Sequence, residues 1–74
     1  MKDKMDIVIK GEYIELFKLL KFSGLAQDGT HAKMAIDNGD VLFNSEVELK
    51  KRKKVYPGDV VIWENTILLV KAAE

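Results

Sequence analysis

One segment of this 74-residue chain marks the change from helix to sheet: Asp37-Asn38-Gly39-Asp40-Val41-Leu42-Phe43-Asn44. Asn38 and Gly39 are typical of a helix C-terminus, because glycine adopts a positive φ there at little cost. The apolar run Val41 to Phe43 then predicts a short strand, and Asn44-Ser45 predicts a tight turn after it. A helix should therefore precede this segment, and a hairpin should follow it.

Two helices are predicted before this segment. From residue 14 onward, apolar side chains recur at helical spacing, at Ile14, Leu16, Phe17, Leu19 and Leu20. Lys18 and Lys21 fall on the other face, and Ser23-Gly24 ends this first helix. Asp28 is predicted to cap the second helix, since its carboxylate can accept the free N–H groups of the first turn. The inner face of the second helix is predicted to consist of Ala32, Ala35 and Ile36.

Strands are predicted on both sides of the helices. Residues 6–10 contain three consecutive β-branched side chains, and Gly11 ends this strand. Later strands are predicted at residues 41–43, 46–49, 60–63 and 66–70. Tyr56-Pro57-Gly58-Asp59 and Glu64-Asn65 are predicted turns. The order β-α-α-β-β-β-β predicts an α+β fold, with two helices packed on a small, mostly antiparallel twisted sheet. Because a lone strand is unstable, residues 6–10 should pair with the C-terminal region.

The composition limits the class of protein. The length suits one domain, which we expect to span residues 1–74. The chain has no cysteine, which removes thiolate chemistry and favours the reducing cytoplasm over secretion. No signal peptide is visible after Met1, and no apolar run is long enough to span a bilayer. We therefore expect a cytoplasmic protein with no membrane partner.

Positive charge is concentrated in one segment. Twelve basic and twelve acidic side chains cancel, but five of the basic ones are consecutive, at Lys50-Lys51-Arg52-Lys53-Lys54. This segment, the basic run, should attract a polyanion through its local field. If it is extended, the side chains of Lys51 and Lys53 point to one face and those of Lys50, Arg52 and Lys54 point to the other. Arg52 is the best single candidate, because a guanidinium group binds phosphate bidentately. The alternative is a solvated charged strand that protects a sheet edge.

Catalysis and metal binding find no support in the sequence. It has no glycine-rich phosphate loop, no nucleophile motif and one histidine. His31 lies three residues after Asp28, but one histidine and one carboxylate make a poor metal site. We expect no enzyme activity and no cofactor, with His31 near a phosphate instead. Tyr13, Tyr56 and Trp63 could stack on bases. Tyr56, beside the basic run, is the better candidate, whereas Trp63 is predicted to lie in the core.

The segment from Ile14 to Trp63 resembles the S-four RNA-binding domain, also called the alpha-L motif. The matching pieces are Leu20, Ser23-Gly24-Leu25-Ala26, Ala32-Lys33, Ile36, residues 37–44 and residues 55–61. The resemblance implies one RNA-binding domain with an alpha-L core at residues 14–63 and flanking strands at 5–10 and 66–71. The chain departs from the family at two places. Asp28-Gly29 stands where members commonly carry Ser-Arg, and Asn44-Ser45 stands where Asn-Gly is usual.

The same resemblance implies that both helices lie next to the RNA. Lys33 is then the main cation of the second helix. The implied RNA-binding residues are Lys18, Lys21, His31, Lys33, Lys50, Lys51, Arg52, Lys53, Lys54 and Tyr56. The expected ligand is structured ribosomal or transfer RNA. The alternative function is a protein-interaction or dimerisation module with weak self-association. The apolar runs at residues 7–9, 60–63 and 67–70 are unbroken, and a small sheet should have one wet face, so these runs are expected to bury one face in a partner.

Overall fold

The computed structural model describes residues 3–73 of the chain. Its elements are, in order, β1 (Asp3–Ile9), β2 (Ile14–Glu15), α1 (Leu16–Phe22), α2 (Gly29–Asp37), β3 (Leu42–Phe43), β4 (Glu46–Val47), β5 (Lys54–Val55), β6 (Val60–Trp63) and β7 (Thr66–Ala72). The strands form a five-stranded sheet in the order β1-β7-β6-β3-β4 and a two-stranded sheet of β2 and β5. The predicted α+β class is confirmed.

The first strand pairs with the last, as predicted. β1 runs parallel to β7, from Asp3 opposite Thr66 to Ile9 opposite Ala72. The other strand pairs of the main sheet are antiparallel, so the sheet is mixed but mostly antiparallel. This pairing places Ile7 and Ile9 in the core, where both side chains are buried.

The first helix begins two residues later than the sequence predicts. Ile14 and Glu15 are not helical but form β2, which pairs with β5. The backbone N–H groups of Leu16 and Phe17 then donate to carbonyl oxygens of the basic run at 2.9 and 3.0 Å. The prediction of a helix from Ile14 is wrong because these hydrogen bonds to a distant segment outweigh the local helical spacing. Neither β2 nor β5 is among the predicted strands.

The second helix follows its predicted signals closely. The Asp28 carboxylate accepts the His31 backbone N–H at 2.8 Å, which caps the first turn. Gly39, just after the helix, has a φ of +77°, as a helix-ending glycine requires. The predicted inner face, Ala32, Ala35 and Ile36, is buried. It packs on the buried face of α1, which consists of Leu16, Leu19 and Leu20.

The main sheet has one buried face and one partly exposed face. Along β6 and β7, Val61, Trp63, Leu68 and Val70 are buried in the core. Their neighbours Val60, Ile62, Ile67 and Leu69 are half-buried and point to the opposite side, which we call the outer face. The unbroken apolar runs therefore alternate in burial, and Trp63 is a core residue as predicted. Self-association through the outer face stays a prediction.

Candidate nucleic-acid interface

The basic run is folded back rather than fully extended. The backbone N–H of Lys53 donates to the carbonyl of Lys50 at 3.2 Å, which makes a turn, and only Lys54 enters a strand. Lys50 is exposed, and its backbone N–H donates to the Glu48 carboxylate at 3.1 Å. The turn places the basic run against the start of α1.

Two lysines of the basic run point towards α2 and the main sheet. Lys51 Nζ lies 3.0 Å from the Asp37 carboxylate at the end of α2. Lys53 Nζ lies 5.3 Å from the centroid of the Phe43 ring in β3. Lys51 therefore has an acidic partner, whereas Lys53 lies beside an aromatic ring.

The other two members lie on the side of Tyr13. Lys54 Nζ is 5.1 Å from the centroid of the Tyr13 ring. Arg52 lines a polar depression together with Tyr13, Ile14, Glu15 and Lys18. Lys51 and Lys53 thus contact α2 and β3, whereas Arg52 and Lys54 lie beside Tyr13. This arrangement comes from the turn at residues 50–53, because the segment is not extended.

Phe17 brings cations of the two helices together. Lys33 Nζ, from α2, lies 4.8 Å from the centroid of the Phe17 ring. Lys18 Nζ, from α1, lies 5.9 Å from the same centroid and 3.3 Å from the Glu15 carboxylate. The Phe17 ring also lies at the start of α2, where a Cβ added at Gly29 would be 4.0 Å from it, in ordinary van der Waals contact.

These contacts connect four cations into one surface. Lys33 and Lys18 meet at Phe17, Lys18 and Arg52 share the polar depression, and Tyr13 connects that depression to Lys54. We call Lys18, Lys33, Arg52 and Lys54 the basic surface. A surface of this kind matches the closely spaced phosphates of a nucleic acid.

The remaining candidate residues differ in their surroundings. Tyr56 is 45% exposed, and its ring is tilted against Tyr13 with centroids 5.8 Å apart. Lys21 is exposed in the last turn of α1. His31 is half-buried, its Nδ1 accepts the Gln27 backbone N–H at 3.1 Å, and its ring lies edge-on to Trp63. His31 therefore has one ring nitrogen committed to the protein.

Neither a candidate metal cluster nor a membrane-spanning helix occurs among the described residues. Across residues 3–73, no cluster of three histidine, cysteine, aspartate or glutamate side chains is arranged to hold a metal ion. Within the same residues, none of the helices has the length and apolar character needed to cross a bilayer.

The sequence does not predict which aromatic rings contact the lysines. Helical spacing places Phe17 in the apolar stripe of α1, yet its side chain is only half-buried, at the edge of the core. For Phe43 the pattern predicts a strand position and nothing more. One signal in the sequence could have indicated a role for Phe17: it lies at the edge of the apolar stripe of α1, next to Lys18. Its contact with Lys33 depends on how the two helices pack.

Two helices on a mixed sheet, with cations gathered across both helices and an adjoining loop, define a small nucleic-acid-binding domain. The family model described as "S4 domain" matches residues 7–71, so the match includes the strands that flank the predicted alpha-L core. The chain belongs to the S4 domain family, the S-four family that the sequence resembles.

Named relatives show the same similarity. The chain is 40% identical over 52 residues to "Putative RNA-binding protein YbcJ" of Escherichia coli (strain K12), covering 70% of this chain and 74% of the relative. It is 38% identical over 55 residues to "Probable ribosome maturation protein RlbA" of Bacillus subtilis (strain 168), covering 74% of this chain and 78% of the relative.

Proposed function

We propose that this protein binds structured RNA through the basic surface and acts by binding rather than by catalysis. The observation that carries the proposal is the junction at Phe17, where cations from α1 and α2 meet beside the basic run. Membership of the S4 domain family supports RNA as the polyanion. The name of the Escherichia coli relative supports the same ligand.

The arrangement of these cations suits the binding of phosphates at defined positions. A free lysine loses up to about 2 kcal/mol of side-chain entropy when it is immobilised. Lys33 and Lys54 already lie against aromatic rings, so less of that entropy remains to be lost on binding. Arg52 adds a guanidinium group that can bind phosphate through two parallel hydrogen bonds. Phosphate contacts of this kind position an RNA without reading its sequence.

We propose ribosomal RNA as the first target to test and transfer RNA as the second. The Bacillus subtilis relative is named as a probable ribosome maturation protein, which supports a ribosome-associated role. We propose that this role is carried out in the cytoplasm. Crosslinking the protein to RNA in cells and sequencing the recovered RNA would identify the target. Recovery of no RNA above the level of an uncrosslinked sample would contradict the proposal.

The charge contribution can be tested with a salt series. We expect K33A/R52A to weaken binding to ribosomal RNA fragments and to transfer RNA alike. The slope of log affinity against log salt should become shallower by about one unit for each phosphate that the variant no longer neutralises. Filter-binding curves from 50 to 200 mM salt give both quantities, and thermal melts check folding.

A matched control removes the same charge from elsewhere. Lys4 and Lys71 are exposed residues of β1 and β7, and their strand partners are Ile67 and Val8. K4A/K71A should leave the salt slope close to that of the wild type. If the two double variants lose affinity equally, binding depends on total charge and the basic surface is not the site.

A further inference from the structure

An open groove of about 350 Å³ lies beside the basic surface. It is lined by Val8, Ile9, Lys10, Tyr13, Ile14 and Phe22. Its walls are mainly apolar, and one lysine is among its lining residues. The groove shares Tyr13 and Ile14 with the polar depression that contains Arg52 and Lys18. An apolar groove therefore lies next to a polar depression that holds two cations, Arg52 and Lys18, and the Glu15 carboxylate paired with Lys18.

The apolar walls of this groove are unusually accessible. Phe22 is 63% exposed, Val8 is 52% exposed and Tyr13 is 39% exposed. Phe22 lies at the end of α1, where the core-facing positions are taken by Leu16, Leu19 and Leu20. The position of Phe22 is therefore not determined by burial in the core. A cluster of exposed large apolar side chains commonly marks a binding site.

Tyr13 is held from outside the groove. Its ring packs against Tyr56, with centroids 5.8 Å apart and planes 46° apart. Lys54 Nζ lies over the same ring at 5.1 Å from the centroid. These contacts restrict the Tyr13 ring before any ligand binds, as a stacking platform requires. The adjacent cation places positive charge beside that platform.

We propose that this groove binds an unpaired nucleobase of the RNA while the neighbouring phosphates occupy the polar depression. This inference rests on the proposed RNA binding. A nucleotide combines an apolar π-face with an anionic phosphate, and the two adjoining sites offer aromatic rings and cations in that arrangement. Stacking of bases on aromatic side chains tolerates every base, because each base has a π-face.

The proposed groove therefore favours RNAs that have an accessible, unpaired base. An uninterrupted duplex keeps its bases stacked and cannot fill the groove. A loop, a bulge or a single-stranded end next to a helix supplies both an accessible base and the phosphates. The preferred ligand is a structured RNA with at least one unpaired nucleotide beside its helical part.

The experiment compares two RNAs with equal numbers of phosphates. One is a hairpin with a four-nucleotide single-stranded 3′ extension. The other is the same hairpin with abasic residues in the extension. The wild type should bind the complete RNA about fivefold or more tightly than the abasic RNA. This ratio should fall towards one in Y13L and in F22A, and Y13F should retain it.

The outcomes separate this proposal from the proposed function. Equal binding of the two RNAs by the wild type overturns the base-binding groove and leaves RNA binding intact. A ratio that stays unchanged in both Y13L and F22A places the bases elsewhere and also overturns it. Absence of binding to either RNA at 50 mM salt contradicts RNA binding itself. Thermal melts confirm folding, and because Phe22 is largely exposed, F22A tests the groove even if Y13L is destabilised.

Discussion

Aromatic rings accompany four lysines within the part of the chain that the structure describes. Lys18 and Lys33 lie over Phe17, Lys53 over Phe43 and Lys54 over Tyr13. Each such pair contributes about 0.5–1 kcal/mol at an exposed site. The rings also reduce the number of lysine conformers, which favours a defined phosphate-binding arrangement over a loose cationic tail.

Replacing Phe17 should weaken RNA binding although the change in apolar volume is small. In F17L most of that volume is kept, but the ring under Lys33 and Lys18 is removed. We expect the affinity for RNA to fall by about two- to fivefold, which corresponds to about 0.5–1 kcal/mol. Fluorescence-anisotropy titrations measure the change, and F17Y, which keeps a ring, serves as the control. Wild-type affinity in F17L would show that the ring does not position the cations.

Removing the cap of α2 should lower stability. D28A loses the hydrogen bond from the His31 backbone N–H and should reduce the free energy of unfolding by about 1 kcal/mol. D28N keeps a capping oxygen and should be close to the wild type. Urea unfolding followed by circular dichroism measures both. If D28A and D28N unfolded at the same urea concentration as the wild type, the cap would not contribute.

Single residues can be predicted from the sequence where one local rule governs them. The cap at Asp28, the terminating Gly39 and the buried Trp63 each follow from such a rule and are confirmed. The partners of the lysines cannot be predicted in this way. Lys33 reaches Phe17 across the helix pair, and Lys54 reaches Tyr13 from a distant part of the chain, so both contacts depend on tertiary packing.

Among the elements, the pairing of β2 with β5 connects the fold to the candidate site. Leu16 and Phe17, the first residues of α1, donate to the carbonyls of Lys53 and Lys51. These bonds use N–H groups that a helix start leaves without intrahelical partners. The basic run is thereby fixed beside the two helices. The sequence predicts the charge of this segment but not its attachment, because a two-residue strand has no periodicity to detect.

The β3–β4 turn offers a test of local backbone strain. Asn44 and Ser45 have φ angles of +48° and +75°, as a type I′ turn requires. S45G should raise the free energy of unfolding by up to about 1 kcal/mol, because glycine adopts this conformation without a steric cost.

Asn44 is the matched control at the same turn. Its side-chain oxygen accepts the Val60 backbone N–H at 2.9 Å, and its amide donates to the Asp59 carboxylate at 3.2 Å. N44G removes both bonds and should lower stability although its φ is also positive. Urea unfolding of the two variants measures the contrast. Stabilisation by N44G, or destabilisation by S45G, would contradict this account of the turn.

Over the whole molecule, the parallel pairing of β1 with β7 joins two segments from opposite ends of the chain in one sheet. The helices cover one face of that sheet, and the outer face lies on the other side. The strand order can be predicted in part, because Ile7 and Ile9 need cover and few partners are available. The parallel direction cannot be predicted, since the spacing of apolar residues is the same for either direction.

The net charge of the chain is zero, but its charged side chains are unevenly distributed over the folded molecule. Acidic partners contact Lys18 and Lys51 through Glu15 and Asp37. Arg52 and Lys33 contribute to a surface on which positive charge is dense, although the whole chain carries none in excess. Recognition then depends on the local arrangement of cations, which is how a neutral protein can bind a polyanion.

NMR titration tests most directly whether RNA occupies the basic surface. Uniformly ¹⁵N-labelled protein would be titrated with a hairpin RNA that carries a single-stranded 3′ extension. We predict that the amide signals of Lys18, Lys33, Arg52 and Lys54 shift, while that of Lys4, at the far end of β1 from the groove, does not. Shifts concentrated at Lys4 and at Ile67 and Leu69 of the outer face, with the basic surface unchanged, would contradict RNA binding at the basic surface.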